Sequence, residues 1–320
     1  MKSAPQTILL AAPRGYCAGV DRAVVTVERA LEQHGAPVYV RKEIVHNKHV
    51  VEQLRARGAI FVDELSDEIP EGAVTVFSAH GVSPAVKGDA AARGLATIDA
   101  TCPLVTKVHI EAKRFAEDGY TVVLVGHAGH EEVEGTMGEA PESIVLVETE
   151  DDVDRLEIED ESRIAYCTQT TLSVDETAAI ITRLKERFPE ITSPKREDIC
   201  YATTNRQLAV KKLAGMCDLV LVIGSRNSSN SNRLVDVTRD LGTDAYLIDN
   251  EGEVREEWLE GRKVVGITSG ASAPEELVQR LLDFFKARGT EDIREVRVTD
   301  EDVRFMLPKA VREAVAGRDS

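Results

Sequence analysis

Five cysteines are spread over this 320-residue chain, and three of them, Cys17, Cys102 and Cys200, open segments of one kind. Each precedes residues at helical spacing and then a short apolar run, which begins 21, 20 and 19 residues later at Val38, Val122 and Leu219. A cysteine just ahead of a helix sits at the positive end of the backbone dipole, which favours the thiolate, the form that ligates metals. Soft thiolates select iron–sulfur clusters or zinc. None of the three belongs to a CxxC pair, so a zinc knuckle is poorly supported. A fully ligated four-iron cluster takes four thiolates; three would leave one iron open to substrate and make the cluster catalytic. Cys167, inside the apolar run IAYC, and Cys217, just before a strand, read as small buried hydrophobes.

Histidines and hydroxyls concentrate in turns near these segments. His46, His80 and His130 occupy polar turns and suit hydrogen-bond donation to an anion, whereas His34, His49, His109 and His127 read as structural. The turn Asn227-Ser228-Ser229-Asn230 opens a helix, where backbone amides and hydroxyls can cradle an oxyanion or phosphate, although such turns commonly serve as caps. Glu132 lies two residues after His130 in the second copy's turn, Gly129-His130-Glu131-Glu132. Beside a metal-bound hydroxyl it could deliver the proton that lets water leave; on composition alone it is one surface glutamate among Glu131, Glu132 and Glu134.

The elements that position these residues repeat three times. Helix faces are marked by Val20, Val24, Val27 and Leu31, by Val105, Val108, Ala112 and Phe115, and by Ala209, Leu213 and Met216. In the first copy strands are expected at Val38–Val40, Ala59–Val62 and Val74–Phe77. The second has Val122–Val125, Ile144–Val147 and Ile164–Cys167, and the third has Leu219–Ile223, Ala245–Ile248 and Val264–Ile267. Each last strand runs into a polar turn, Ser78-Ala79-His80-Gly81, Thr168-Gln169-Thr170-Thr171 or Ser269-Gly270-Ala271-Ser272. With Val45-His46-Asn47, Gly129-His130-Glu131-Glu132 and Asn227-Ser228-Ser229-Asn230 after the first strands, and the cysteine-headed turns, each unit presents three polar turns at strand ends, where open α/β sheets place ligands, so nine turns could line one cavity. We therefore expect three similar α/β domains in a pseudo-threefold arrangement around a central cleft. Their spans are 1–101 with Cys17, 102–195 with Cys102 and 196–290 with Cys200, followed by a tail, 291–320, that returns as a strand at Val296-Arg297-Val298.

Composition narrows the class. Fifty-six acidic residues against 39 basic ones give a net charge of −17, which argues against a nucleic-acid footprint and leaves any anionic substrate to local geometry. The start, MKSAPQTILLAAPRGY, has only five consecutive apolar residues, and no stretch approaches the ~20 needed to span a bilayer. A cytoplasmic protein with reduced thiols, not bound to membrane, follows. In the absence of heptads a monomer is the default. Lys107, Lys113 and Arg114 form a basic patch that reads as solvated helix surface or, alternatively, as a docking point for an acidic partner.

The segments PRGYCAGVDRAV, EIVHNKHVV, FSAHGVS, DATCPLVTKVH, GHAGHEEVEGTMGE, YCTQTTLSVDET, DICYATTNRQ, GSRNSSNSNRL and GASAPEELV, in that order from Pro13 to about Leu277, resemble 4-hydroxy-3-methylbut-2-enyl diphosphate reductase, an iron–sulfur enzyme of isoprenoid synthesis by the methylerythritol phosphate pathway. A weaker echo, VRFMLP, lies in the tail. The resemblance implies three α/β domains around a cleft and one [4Fe–4S] cluster held by Cys17, Cys102 and Cys200, its fourth iron taking the substrate's allylic hydroxyl. It also implies a diphosphate held by His46, His80, His130, Ser228, Ser229, Asn230 and Ser272, with Glu132 as proton donor and Thr170 assisting near the hydroxyl. The implied reaction takes two electrons from ferredoxin or flavodoxin, expels water and yields isopentenyl and dimethylallyl diphosphate; as no acidic protein group is expected near the reacting carbons, we expect the substrate's own diphosphate to supply the last proton to carbon.

Two positions depart from the pattern. Glu131 puts an extra carboxylate beside the proton donor, where it could repel the diphosphate or shift the Glu132 pKa, and Cys167 puts a thiol near the cavity, where we expect it to be buried and not a ligand. Two other classes fit the thiols: a non-redox dehydratase using the open iron as a Lewis acid, and a zinc-binding regulatory module.

Overall fold

The structure, a computed structural model, describes residues 4–316; residues 1–3 and 317–320, the ends of the first and last expected segments, lie outside it. The elements begin with β1 (Thr7–Ala12), α1 (Ala18–His34), β2 (Val38–Arg41), α2 (Lys48–Ala56), β3 (Ala59–Val62), β4 (Val74–Phe77), α3 (Pro84–Ala92) and β5 (Ala96–Asp99). Next come α4 (Pro103–Glu117), β6 (Thr121–Val125), α5 (Glu131–Met137), β7 (Ile144–Val147), α6 (Glu150–Arg155), β8 (Ile164–Thr168) and α7 (Val174–Arg187). The last group is α8 (Tyr201–Ala214), β9 (Leu219–Ile223), α9 (Ser229–Asp240), β10 (Asp244–Ile248), α10 (Glu256–Leu259), β11 (Val264–Ser269), α11 (Glu275–Lys286), β12 (Asp292–Arg297) and α12 (Lys309–Ala316).

The fold is α/β with parallel sheets, of order β10-β9-β11-β1-β12, β3-β2-β4-β5 and β7-β6-β8. All three contain the same kernel. The first strand after a cysteine-headed helix lies in the middle, with the second on one side and the third on the other. Parallel neighbours need crossover connections, which cover both faces of a sheet and make its strands continuously apolar. Every residue of β9 is buried, as are Val122 to Val125 of β6.

The chain forms two compact units. One holds the residues up to Ala18, His46–Val50 and Tyr201–Arg304, and with them the five-stranded sheet. Ile8, Leu10, Leu221, Ile267 and Phe285 pack on one face of that sheet, and Leu9, Ala11, Leu213, Val222 and Leu234 on the other. The second unit holds Gly19–Val45, Val51–Cys200 and the segment from Phe305, with the two smaller sheets. There Val123, Val125, Ile164 and Tyr166 face one cluster while Val122, Leu124, Ala165 and Cys167 face another, the two-residue alternation of strands covered on both sides. No helix among the described residues is long and apolar enough to cross a membrane.

Three features differ from the sequence reading. Thr7–Ala12, read only as too short for a leader, is β1, hydrogen-bonded between β11 and β12. Ala96–Asp99 adds β5 at one edge of the four-stranded sheet. Met216 does not join the buried face of α8: the helix ends at Ala214, and Met216 is 48% exposed beyond it.

Candidate functional site

One backbone contact occurs three times. The Cys17 N–H donates to the Ala271 carbonyl at 3.2 Å, the Cys102 N–H to Ala79 at 2.9 Å and the Cys200 N–H to Thr170 at 3.1 Å. Ala79, Thr170 and Ala271 each lie two residues beyond the end of the third kernel strand, β4, β8 or β11. Each cysteine is thus hooked to a polar turn at its start and leads into a helix of 14 to 17 residues, α1, α4 or α8. The three side chains are half-buried, and among the described residues no disulfide forms. A soft sulfur at a helix start, with its main chain locked, is the kind of donor that iron–sulfur clusters take. Cys167 and Cys217 do not: burial pushes the Cys167 thiol far above the thiolate range and the Cys217 thiol up to about 12, so both stay protonated in the core.

Supporting contacts fix the loops around the cysteines. Arg22 donates to the carbonyls of Ala100 and Thr101, immediately before Cys102, at 2.9 and 3.0 Å. Beside Cys17, the Ala18 N–H donates to the Tyr201 hydroxyl at 3.1 Å. Arg206, polar yet wholly buried, gives Nη2 to the Gly15 carbonyl at 2.6 Å and Nη1 to Glu301 at 3.0 Å. Removing one partner of a buried ion pair strands the other, so Arg206→Ala is expected to cost about 3–5 kcal/mol of folding stability. Urea denaturation measures this directly, and a loss below about 1 kcal/mol would refute the buried pairing.

In the second unit the acid expected to be catalytic is enclosed. Glu132 is 2% exposed; its Oε1 accepts from the Thr170 N–H at 2.6 Å and its Oε2 from the Thr170 hydroxyl at 3.0 Å. Burial pushes its carboxyl up to about 7. The Thr170 bonds oppose that rise and the Asp198 charge adds to it. Glu132 therefore carries its proton at pH values where an ordinary carboxyl has lost it. His130 caps α5, its Nδ1 accepting from the Glu132 N–H at 3.2 Å, which puts the ring proton on Nε2, the nitrogen able to donate to an anion. The His80 and His130 rings meet edge to face with centroids 5.9 Å apart.

Adjacent helical positions diverge, and Glu131 turns to His80, with 3.0 Å between Oε2 and Nδ1, and to the Ser78 hydroxyl at 3.5 Å. Asp198, buried two residues before Cys200, is a carboxylate whose charge adds to the rise at Glu132; it opens the motif DICYATTNRQ, but nothing local says that it is buried. Asp198 accepts from the Thr168 N–H at 2.9 Å and from Lys107 at 2.7 Å. Lys107 also meets Glu111 at 3.2 Å, while Arg114 lies 3.9 Å from Glu111 and Lys113 3.9 Å from Glu117. The expected basic patch is accordingly neutralised by its neighbours.

In the first unit the structure gathers His46, Ser228, Asn230 and Ser272. Ser228 caps α9, its Oγ accepting from the Ser231 N–H at 3.3 Å and lying 3.4 Å from the Ser272 Oγ. Ser272 donates to the His46 carbonyl at 2.9 Å, and the Asn230 Oδ1 accepts from the Ala271 N–H at 2.8 Å. Asn227 approaches the His46 Nδ1 at 3.3 Å, and Ser229 is the half-buried first residue of α9. A Cβ on Gly270 would stand 2.0 Å from the Ser231 Oγ, and one on Gly224 2.1 Å. Only glycine allows the start of α9 to press this closely on the ends of β9 and β11. Hydroxyls, an amide and a helix N-terminus then converge as they would around a phosphate.

A family model described as "LytB protein" matches residues 8–286. A "4-hydroxy-3-methylbut-2-enyl diphosphate reductase" of Leifsonia xyli subsp. xyli is 60% identical, the match covering 97% of this chain and 92% of the relative. One of the same name from Nocardia farcinica is 62% identical over 95% and 91%. The solved structure of the "E-1-hydroxy-2-methyl-but-2-enyl-4-diphosphate reductase" from Plasmodium falciparum superposes with a TM-score of 0.95 at 37% identity, covering 99% of this chain and 100% of that one.

Proposed function

This chain belongs to the LytB protein family, and on that premise we propose that it is an oxidoreductase that removes the hydroxyl of 4-hydroxy-3-methylbut-2-enyl diphosphate. Two electrons and two protons enter, water leaves, and isopentenyl and dimethylallyl diphosphate form. The observation that carries this reading is the double use of Thr170. Its carbonyl takes the Cys200 N–H while its own N–H and hydroxyl take the Glu132 carboxyl, which couples a ligand thiol to a protonated acid through one residue.

Cys17, Cys102 and Cys200 would hold one [4Fe–4S] cluster, which when bound supplies low-potential electrons and a Lewis-acidic iron without a protein ligand. The remaining work falls to the protein's own side chains. His46, His80, His130, Ser228, Ser229, Asn230 and Ser272 bind the diphosphate. Thr170 orients the Glu132 carboxyl, whose proton passes to the departing hydroxyl oxygen so that it leaves as water. The second proton goes to carbon at either end of the allylic unit, which accounts for two products, and the substrate's diphosphate is its source. Ferredoxin or flavodoxin delivers the electrons.

An anaerobic assay with and without a low-potential donor tests the reading. Both products should form only with the donor present, from brown protein holding about four irons per chain. Turnover without reductant would make the protein a dehydratase, and colourless zinc-loaded protein would end the enzyme reading.

A further inference from the structure

His109 has no role in the chemistry above, yet it is wedged among the elements that carry it. The residue lies on α4, the helix headed by Cys102, and is 7% exposed. Its Nδ1 lies 2.9 Å from Oε1 of Glu139, which follows α5 just past its Gly138 cap. A carboxylate partner makes Nδ1 the protonated nitrogen. Nε2 is then a buried lone pair, and among the described residues it has no hydrogen-bond partner. Burial holds the ring below the usual histidine pKa and so keeps it neutral.

The Cε1–Nε2 edge is gripped by two glycines. A Cβ on Gly81, the residue after His80, would stand 3.2 Å from both atoms; one on Gly135, a turn after Glu132 in α5, would stand 3.0 Å from Cε1 and 3.2 Å from Nε2. Gly81 has φ +83°, so its turn favours glycine on conformational grounds too. One ring therefore spaces the His80 turn from α5, while its other nitrogen tethers the end of α5. Leaving a buried acceptor unsatisfied costs free energy, so an apolar residue of similar size would be the better choice if the position only filled space.

We propose that His109 is a positioning residue: it sets the separation between the His80-Gly81 turn and the helix bearing His130, Glu131 and Glu132. The proposal rests on the reductase reading for its kinetic effect, and on pyrophosphate binding independently of it. In the holoenzyme, His109→Leu should lower kcat/KM about 10- to 100-fold, the range expected when reacting groups shift by a fraction of an ångström to one ångström. It should also weaken binding of inorganic pyrophosphate several-fold by calorimetry. His109→Asn, whose amide nitrogen can occupy the Nδ1 position and donate to Glu139, should recover most of both losses. Gly135→Ala should be impaired when His109 is present and partly rescued in the His109→Ala background.

Should the leucine variant fail to fold, Glu139→Ala removes the tether without touching the core and should shift both readouts the same way. The proposal fails if the leucine variant keeps kcat, KM and pyrophosphate affinity within twofold of wild type, or if asparagine rescues neither. A wild-type protein that binds pyrophosphate without turnover would instead count against the reductase reading, and His109 would then be judged on binding alone.

Discussion

Glu132→Gln is expected to lower kcat about 100- to 10,000-fold, the contribution typical of a positioned general acid. The substitution is nearly isosteric, and the glutamine carbonyl can still accept from Thr170, whose N–H and hydroxyl lie 2.6 and 3.0 Å from the carboxyl oxygens. What it removes is the proton. Because burial raises the wild-type carboxyl from 4.5 to about 7, activity should hold below neutrality and decline as the pH rises through about 7. The same shift has a signature in stability. The folded protein binds this proton more tightly than the unfolded chain, so the resulting stabilisation is fully present below about 4.5 and is lost as the pH rises through about 7. The glutamine variant lacks that loss and should gain on wild type between pH 5 and pH 8 in urea denaturation. Unchanged kcat in a variant with a full complement of iron would remove Glu132 from the proton-donor role.

How much of this could be read beforehand depended on whether the signal was local. The strands of the three kernels are legible because parallel strands buried on both faces must be apolar runs bounded by turns, as in Val122–Val125 and Leu219–Ile223. The strands added outside the kernels carry weaker signals. β12 reads DIREVR with three of its six positions exposed, so only Val296, with Val298 just beyond it, marked the strand, and β5 shows one buried position in four. β1 is as apolar as any other strand, but its pairing with β11, more than 250 residues away, is a tertiary fact. The turn residues were legible for the opposite reason: they sit at strand ends, where short motifs survive. Direction was not. Nothing local says that Glu131 faces His80 while Glu132 faces Thr170, or that Arg206 and Asp198, charged residues in polar stretches, are buried.

Replacing a single candidate ligand, Cys102→Ser or Cys200→Ser, is expected to strip most of the iron and lower turnover by more than the 10- to 100-fold that outer-shell partners of a metal typically contribute. The expectation follows from how each residue is held. The contacts that place Cys102 and Cys200 are made by backbone N–H groups, to Ala79 and Thr170, and serine keeps both. The variant therefore changes a soft sulfur to a hard oxygen with little disturbance of the loop, which separates ligation from folding. Cys167→Ala and Cys217→Ala are the controls. Their thiols are held protonated by burial, so losing them should cost about 1 kcal/mol of packing and leave the iron content intact. Iron and sulfide analysis after anaerobic purification, paired with thermal unfolding, distinguishes the two groups. If Cys102→Ser kept its iron, or Cys167→Ala lost it, the backbone hook repeated at Ala79, Thr170 and Ala271 would have to be explained as fold symmetry alone. A normal Tm with absent iron in the serine variants, set against a lowered Tm with full iron in the alanine variants, would leave ligation as the one property that divides the five cysteines in this way.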